Sequence, residues 1–560
     1  MDMRNSFKRV VGAAAVSAFA LSLMACSSED KNASTGGEPA EVDESSIAAE
    51  LADNMTGAME NFAAGQTFVA SEPVEFSMLY RDHPNYPIKD DWLLLSHIKD
   101  TNKVSFDITS APLSDYEQRR SLLIGAGDAP DIITVTYPGQ EAQFVSSGAI
   151  LPASDYVQYM PNFQQKVKEW GLEADLDTLR QDDGKYYLFP GIYENMRYDY
   201  SLSIRTDVLE ELGLEAPKTW DEFRTVLQKI KDAKGGKYVF SDRWKGDALL
   251  NIAAPGFNTV AGWGLGGGTL FDESKGEFYF APAHDDYKAM VEYFGSLVSD
   301  GLMDPESFTQ EDDQADQKLA NEKSFAITTN GQELLRERTV IEAAQGEDFQ
   351  LDKLRVPSGP AGDNSRGSRL ENGFMISADA VDNENFVAML QFLDWLYYSD
   401  EGLEFVRWGV EGETFTKDAD GNRTLNSDIE FLSSNVGAPK KFQADFGFFN
   451  GAFSLAHGST TDLVLTHITD EEKAWQQDMA SKTLLPANPP YPLNEDEQEQ
   501  LSLIQTALTD YVKQNTLSFI LGQRPISEWD AYVAELEGQN LSQYMEIVNG
   551  AYKRFQENNG

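Results

Sequence analysis

The chain has 560 residues, an apolar share of 41% and a formal charge of -47 from 92 acidic against 45 basic residues. That length holds two or more domains, and the apolar share is that of globular proteins, so disorder is not the default. The charge makes nucleic acid and anionic lipid headgroups unfavourable partners, and it argues against a polyanionic ligand unless a local basic pocket overrides the global field.

In chain order, Arg4, Lys8 and Arg9 precede an apolar core from Val10 to Ala20, the charge-then-hydrophobe layout of a secretory signal. The core is too short to span a bilayer comfortably. Cys26, the only cysteine, follows Leu23-Met24-Ala25 and resembles a bacterial lipoprotein lipobox, in which the thiol is acylated and becomes the new N-terminus. The alternative is an ordinary cleaved signal with an incidental cysteine. Residues 1–25 are therefore expected to be a lipoprotein signal peptide and Cys26 the lipidation site, with the body on the extracellular face of the cell membrane. With Cys26 acylated, no disulfide can form in the mature chain. Residues 26–71 are small, polar and acidic, with Gly36-Gly37 and Pro39, and read as a flexible tether. Ile47, Leu51, Met55 and Met59 recur there at four-residue steps, but have nothing evident to pack on.

A strand is predicted at Val74 to Leu79, where alternation turns into an apolar run. A helix follows near Trp92 to Ile98, a strand at Val104 to Ile108, and a helix opened by Ser114 and Glu117 in capping-box spacing and stopped at Gly125-Ala126-Gly127. Asp131 to Val135 reads as a buried strand, and the alternation makes βαβ units in a mostly parallel sheet. The pattern then restarts. Gly184 to Pro190 and Tyr200 to Ile204 are β-like, Asp207 to Leu212 is a short helix, and Thr219 with Glu222 opens another helix. Two α/β units separated by short extended crossings imply two lobes with a cleft, and ligands of open α/β sheets bind beyond the carboxyl ends of strands.

Tyr116 to Ile133, containing Gly127-Asp128-Ala129-Pro130-Asp131, resembles a segment of extracellular solute-binding proteins; so do Ile204 to Leu214 with Pro217 to Phe223, and the C-terminal Phe519 to Gly522 with Glu528 to Val533, Tyr544, Tyr552 and Phe555. Together they are similar to the large, lipid-anchored, carbohydrate-associated branch of that family in Gram-positive bacteria. The resemblance implies an α/β, two-lobed venus-flytrap fold of the periplasmic-binding-protein type, with three crossings between lobes, extra C-terminal helices and a membrane-embedded ABC importer as partner. Mapped onto this chain, the first lobe holds 72–190 plus 325–372 and the second 191–324 plus 373–560.

Sugar rings present apolar C–H faces rimmed by hydroxyls, so a saccharide cleft needs aromatic platforms flanked by planar polar groups. The loop Tyr80, Arg81, Asp82, His83, Pro84, Asn85 and Tyr86 supplies both beyond a strand end; a surface loop packed by its own prolines is the alternative. A second aromatic loop, Tyr193, Glu194, Asn195, Met196, Arg197 and Tyr198, lies beside the first crossing, where both lobes can reach a bound molecule. Trp263 sits among glycines, free to stack on a ring or to plug a core. Trp244 and Trp408 are similar but adjoin helical segments, and Asn330 ends the run that returns the chain to the first lobe. Phe446 to Asn450 is a further aromatic run, read as buried packing before cleft lining.

Gly262, Gly264 and Gly267 match G-x-G-x-x-G, but strands rather than a helix follow, so no dinucleotide is expected. Asp418, Asp420 and Asn422 mimic a calcium loop in composition only, and a hairpin turn on Asp420-Gly421 is preferred. The five histidines form no H-x-x-x-H pair, and no G-x-S-x-G elbow is present. No metal and no cofactor are expected. The expected function is a monomeric, lipid-anchored binding protein that captures an oligosaccharide and hands it to an importer. A surface glycoside hydrolase, or a sensor or adhesin on the same fold, are the alternatives.

Overall fold

The computed structural model describes residues 47 and 49–559, apart from 433, 454–456 and 467. The expected leader, Cys26 and the expected tether up to residue 46 lie outside the described residues. Among the described residues no helix is long and apolar enough to cross a membrane.

The first lobe is built on a six-stranded sheet in the spatial order Gly458–Ser459, Phe189–Tyr193, Leu370–Ile376, Ile132–Thr136, Val74–Asp82, Val104–Pro112. Val74–Asp82 runs parallel to both neighbours, with Val74 opposite Val104 and Met78 opposite Ile132. Leu370–Ile376 is antiparallel to both of its neighbours. Its Gly373 lies so close to the Phe189 carbonyl that a Cβ has no room, which accounts for glycine at this register shift. Ile132–Thr136 and Phe189–Tyr193 are buried along their whole length, as strands covered on both faces must be. Behind the sheet lies Phe386–Tyr398, a helix apolar all round and buried at every residue.

The one carboxylate on that helix has a structural task. Asp394 accepts from the Asn162 backbone N–H at 2.9 Å, the Asn162 side-chain amide at 2.7 Å and the Phe163 backbone N–H at 2.8 Å. It thereby caps, from a distant part of the chain, the helix Pro161–Trp170, whose own Met160 supplies no side-chain cap.

The second lobe carries a three-stranded antiparallel sheet, Ala326–Thr329, Ser201–Arg205, Leu351–Lys353. Helix Trp220–Lys234 packs on it through Trp220, Phe223, Leu227 and Ile230, and opens with the predicted capping box: Glu222 N–H donates to Thr219 Oγ1 at 3.0 Å, and Thr219 N–H to Glu222 at 3.2 Å. The C-terminal helices Glu495–Ile520, Trp529–Glu537 and Leu541–Asn559 join this core through Leu508, Val512, Tyr532, Tyr544 and Val548. Thr269–Asp272 and Glu277–Phe280 form the hairpin that displaces a dinucleotide reading, and Asp418 accepts from the backbone of Asp420 and Asn422 in the turn joining Phe415–Lys417 to Arg423–Leu425.

Three expectations are corrected. The lobe boundaries are exchanged at two strands: Ala326–Thr329 pairs with Ser201–Arg205 of the second lobe, not with the first, and Leu370–Ile376 lies inside the first-lobe sheet, followed by first-lobe elements to Thr466. Both strands carry buried apolar residues, Ala326 and Ile327 in one and Leu370, Phe374, Met375 and Ile376 in the other, and a local pattern marks a strand as buried without saying which sheet takes it. The folded body begins near Leu51 rather than 72: Leu51, Ala58, Phe68 and Ala70 are buried, Ala70 N–H donates to the Asn102 carbonyl at 3.0 Å and Met59 N–H to Gln391 at 2.8 Å. The apolar spacing at Leu51 and Met59 does pack, against elements far along the chain. The Ser114–Glu117 box does not form; Glu117 accepts from the Gln140 side chain instead, and the helix Tyr116–Ala126 starts without a side-chain cap.

Asp394→Ala is expected to destabilise the first lobe by roughly 2–4 kcal/mol by leaving buried helix N–H groups unpaired. Urea unfolding reads this as a lower midpoint, and an unchanged midpoint contradicts the distant cap.

Candidate functional site

Among the described residues three segments connect the lobes: 194–199, 354–369 and 468–469. Where they cross, the lobes leave between them a cavity of about 650 Å³, within the range of small-molecule sites. The first lobe contributes Tyr137, Tyr193, Glu371, Arg407, Leu432 and Phe449; the second contributes Tyr200, Asn330, Gln332 and Leu335; the crossings add Arg197, Asp199 and Ser368. Tyr137 follows directly on Ile132–Thr136 and so stands at a strand's carboxyl end, and Glu371 projects from Leu370–Ile376. Asn330 caps helix Gly331–Gln345, accepting from the backbone of Gln332 at 3.0 Å and Glu333 at 2.9 Å, which sets that helix's N-terminus in the cavity wall.

Most of the site's charge is internally matched. Arg197 faces Asp199 at 3.8 Å, Glu471 binds Arg338 at 2.8 Å, and Glu472 binds Lys353 at 2.9 Å, with the Lys353 ammonium over the Trp475 ring. Burial pulls the Arg407 guanidinium down to about 10 while one arm donates to the Gly458 carbonyl at 2.8 Å. Burial also raises the Glu371 carboxyl, against the opposing pull of the Asn372 backbone N–H and Arg197. Among the described residues no group of three or more His, Cys, Asp or Glu is placed to hold a metal ion.

Beside the cavity, Tyr200 makes edge contacts with Trp244 at 5.4 Å and Trp263 at 5.1 Å, and the two indoles stand 5.5 Å apart. Trp263 remains 47% exposed, and the Arg243 guanidinium lies over the Trp244 ring. Backbone strain gathers here as well: Trp244, Leu432 and Phe449 all hold positive φ without being glycine. The cleft thus offers aromatic faces, planar hydrogen-bonding groups and near-balanced charge, the equipment for gripping an uncharged polyhydroxylated molecule.

The residues expected from sequence divide. Tyr193 and Asn330 line the cavity, and Trp244 and Trp263 come together beside it. Glu194 and Asn195 tie the first crossing to the first-lobe helix Thr461–Thr466, Glu194 accepting from Thr461 N–H and Asn195 donating to the Thr461 hydroxyl, each at 2.7 Å. The Tyr80 loop is corrected: Tyr80 is wholly buried against Phe453, Asp82 accepts from Ile88 N–H, His83 stacks on Tyr86 at 4.2 Å, and Asn85 N–H donates to His83. The loop closes on itself, and only Arg81 reaches towards the site, acting on the Tyr137 phenol. Trp408 is likewise a core residue, packed on Phe415 with its indole N–H donating to the Thr466 hydroxyl. Of the run from Phe446, Phe448 is buried while Phe449 lines the cavity. Arg197 belongs to the predicted loop that begins at Tyr193 and lines the cavity, whereas sequence reasoning missed Tyr137, Tyr200, Asp199 and Glu371. Tyr137 follows a predicted strand and is within reach of the carboxyl-end rule, whereas Tyr200 stands at the amino end of its strand, which that rule does not mark.

Residues 98–402 match the family model of bacterial extracellular solute-binding proteins. The chain is 24% identical over 519 residues to the fructooligosaccharide ABC transporter substrate-binding protein FusA of Streptococcus pneumoniae serotype 4, spanning 88% of this chain and 93% of the relative. Its fold is similar to that of the alginate-binding protein AlgQ2 (TM-score 0.66, 18% identity, 87% of this chain and 99% of the other). It is also similar to that of an HMO-binding, ABC-transporter-associated solute-binding protein of Bifidobacterium longum infantis (TM-score 0.65, 19% identity, 87% and 99%).

The raised Glu371 carboxyl carries a sign. Folding holds its proton more tightly than the unfolded chain does, so its contribution to stability is fully present below the unfolded carboxyl range and is lost as pH climbs through the folded value. Glu371→Gln is expected to raise the melting temperature of the unliganded protein at neutral pH, with the difference closing as pH falls to about 4. A pH-independent difference in melting temperature contradicts the assignment.

Proposed function

This chain belongs to the bacterial extracellular solute-binding proteins, a family of binding proteins and not of enzymes, and on that footing we propose that it captures an oligosaccharide between its lobes and delivers it to an ABC importer. The observation that carries the reading is the inter-lobe cavity, walled from both sides and edged by the aromatic group of Tyr200, Trp244 and Trp263. The fructooligosaccharide named for the pneumococcal relative supports the ligand class. A lipid anchor at Cys26 holds the monomeric body on the extracellular face, a reading supported by the charged and apolar run that precedes the cysteine.

The physics is that of a clamp. A ligand that touches both lobes binds the closed form better than the open one, and only that difference shifts the equilibrium. Two or three stacked rings at about 1 kcal/mol each beyond area burial, with buried hydrogen bonds, are enough for micromolar affinity.

The test is a panel of neutral oligosaccharides, read by melting shift and by analysis of the recovered sugar. The expected result is a ligand-dependent rise in melting temperature with the sugar recovered intact. For the sugar that binds, Trp263→Ala is expected to weaken affinity roughly tenfold. Cleaved sugar, or no shift with any oligosaccharide, contradicts the proposal.

A further inference from the structure

A second cavity, of about 420 Å³, lies round the crossings from the main cleft and shares Arg197, Asp199, Tyr200 and Ser368 with it. Its remaining walls come from the second lobe between Asn251 and Gly264, from Asn364 to Gly367 in the second crossing, and from Met479 and Lys482. The two cavities are thus neighbours on either side of these residues.

The charges around it close on one another except at one place. Arg197 is answered by Asp199. Lys482 binds Asp363 at 2.6 Å; Asp363 also takes two bonds at 2.6 Å from Arg355, which goes on to Asp478 at 3.1 Å, so two cations meet two anions. Arg366 is different. Its guanidinium donates to the Pro486 carbonyl at 3.3 Å, its Nε is buried without a hydrogen bond, and among the described residues no carboxylate lies within ion-pair distance. The ionisable neighbour that acts on it is the phenol of Tyr279, neutral at pH 7. The hydroxyl of Thr259, on the same cavity wall, is also buried without a partner. An unmatched, half-buried guanidinium is costly to hold, and a planar fork of N–H donors is matched by an oxyanion.

We propose that this cavity is an anion subsite, in which Arg366, with Thr259 beside it, receives one acidic group carried on the saccharide: the carboxylate of a uronic acid, a sulfate ester or a phosphate ester. The inference rests on the carbohydrate reading above and narrows it. A single acidic group is compatible with a chain of charge -47, because the local guanidinium acts within a Debye length while the distant carboxylates are screened.

The test takes the neutral oligosaccharide that binds in the panel and compares it with the same sugar oxidised to the uronic acid, sulfated or phosphorylated at its terminal ring. The expected result is that at least one acidic form binds roughly ten- to hundredfold more tightly at low salt, with the responding form identifying the group. The gain is expected to shrink at high salt and to disappear in R366Q. Acidic forms that bind no better than the neutral sugar, or a gain that survives in R366Q, overturn the subsite while leaving the carbohydrate reading intact. Should R366Q fail to fold, the wild-type salt series decides, and a gain unmoved by salt overturns the inference. If neutral and acidic sugars alike fail to bind, the carbohydrate reading falls and the subsite with it.

Discussion

The structure depends on the separation of two hydrophobic cores. One gathers Phe76, Ile133, Phe374 and the buried helix Phe386–Tyr398; the other gathers Trp220, Phe223, Phe294 and the C-terminal helices, and among the described residues no buried side chain belongs to both. Interiors are close-packed and resist deformation, so each lobe moves as a unit and the polar space between them is what yields. The crossings meet in a small third cluster: Tyr198 from the first and Val356 from the second pack with Trp475 and Met479, which follow the third. Polar contacts pin the same point. Trp475 donates to the Leu354 carbonyl at 2.7 Å, and Tyr198 N–H to Gln476 at 3.1 Å. Away from this hinge, Arg554 of the last helix meets Asp182 of the first lobe at 3.0 Å, a half-exposed ion pair of the kind worth about 0–1 kcal/mol. Such a pair does not weld the lobes together.

The site follows from this arrangement. Residues on the crossings, Arg197, Asp199 and Ser368, cannot leave the cleft when the lobes turn, whereas Glu371 and Tyr137 on one side and Tyr200 and Gln332 on the other change their separation. A molecule touching both sets is bound most tightly in one geometry. Charge within the cleft is largely cancelled by pairs such as Lys353 with Glu472, which leaves the proposed ligand to be selected there by hydrogen-bond direction and ring stacking.

Much of the fold was legible because it is local. The strands at Val74, Val104 and Ile132, the helix opened by Thr219 and Glu222, and the hairpin at Asp420-Gly421 are written in alternation, caps and turn residues. What was not legible is pairing at a distance. Ala326–Thr329 and Leu370–Ile376 read alike as buried strands, and their exchange between sheets is decided by contacts more than a hundred residues away. The segment at Leu51 looked like a tether because its partners, Asn102 and Gln391, lie far along the chain. For the site, Trp263 was visible as a tryptophan among glycines and Trp244 as one beside a helical segment, while His83 and Tyr86 also carried aromatic rings and stack on each other instead. Composition names the groups able to hold a sugar; only tertiary structure decides which of them turn towards one.

The most direct test of the account is small-angle X-ray scattering of the folded body with and without a saturating oligosaccharide. Closure of two rigid lobes about the Tyr198–Val356–Trp475 hinge predicts a smaller radius of gyration in the bound state, with an unchanged molecular mass. Identical scattering profiles in the two states, with binding confirmed in the same samples, would contradict it.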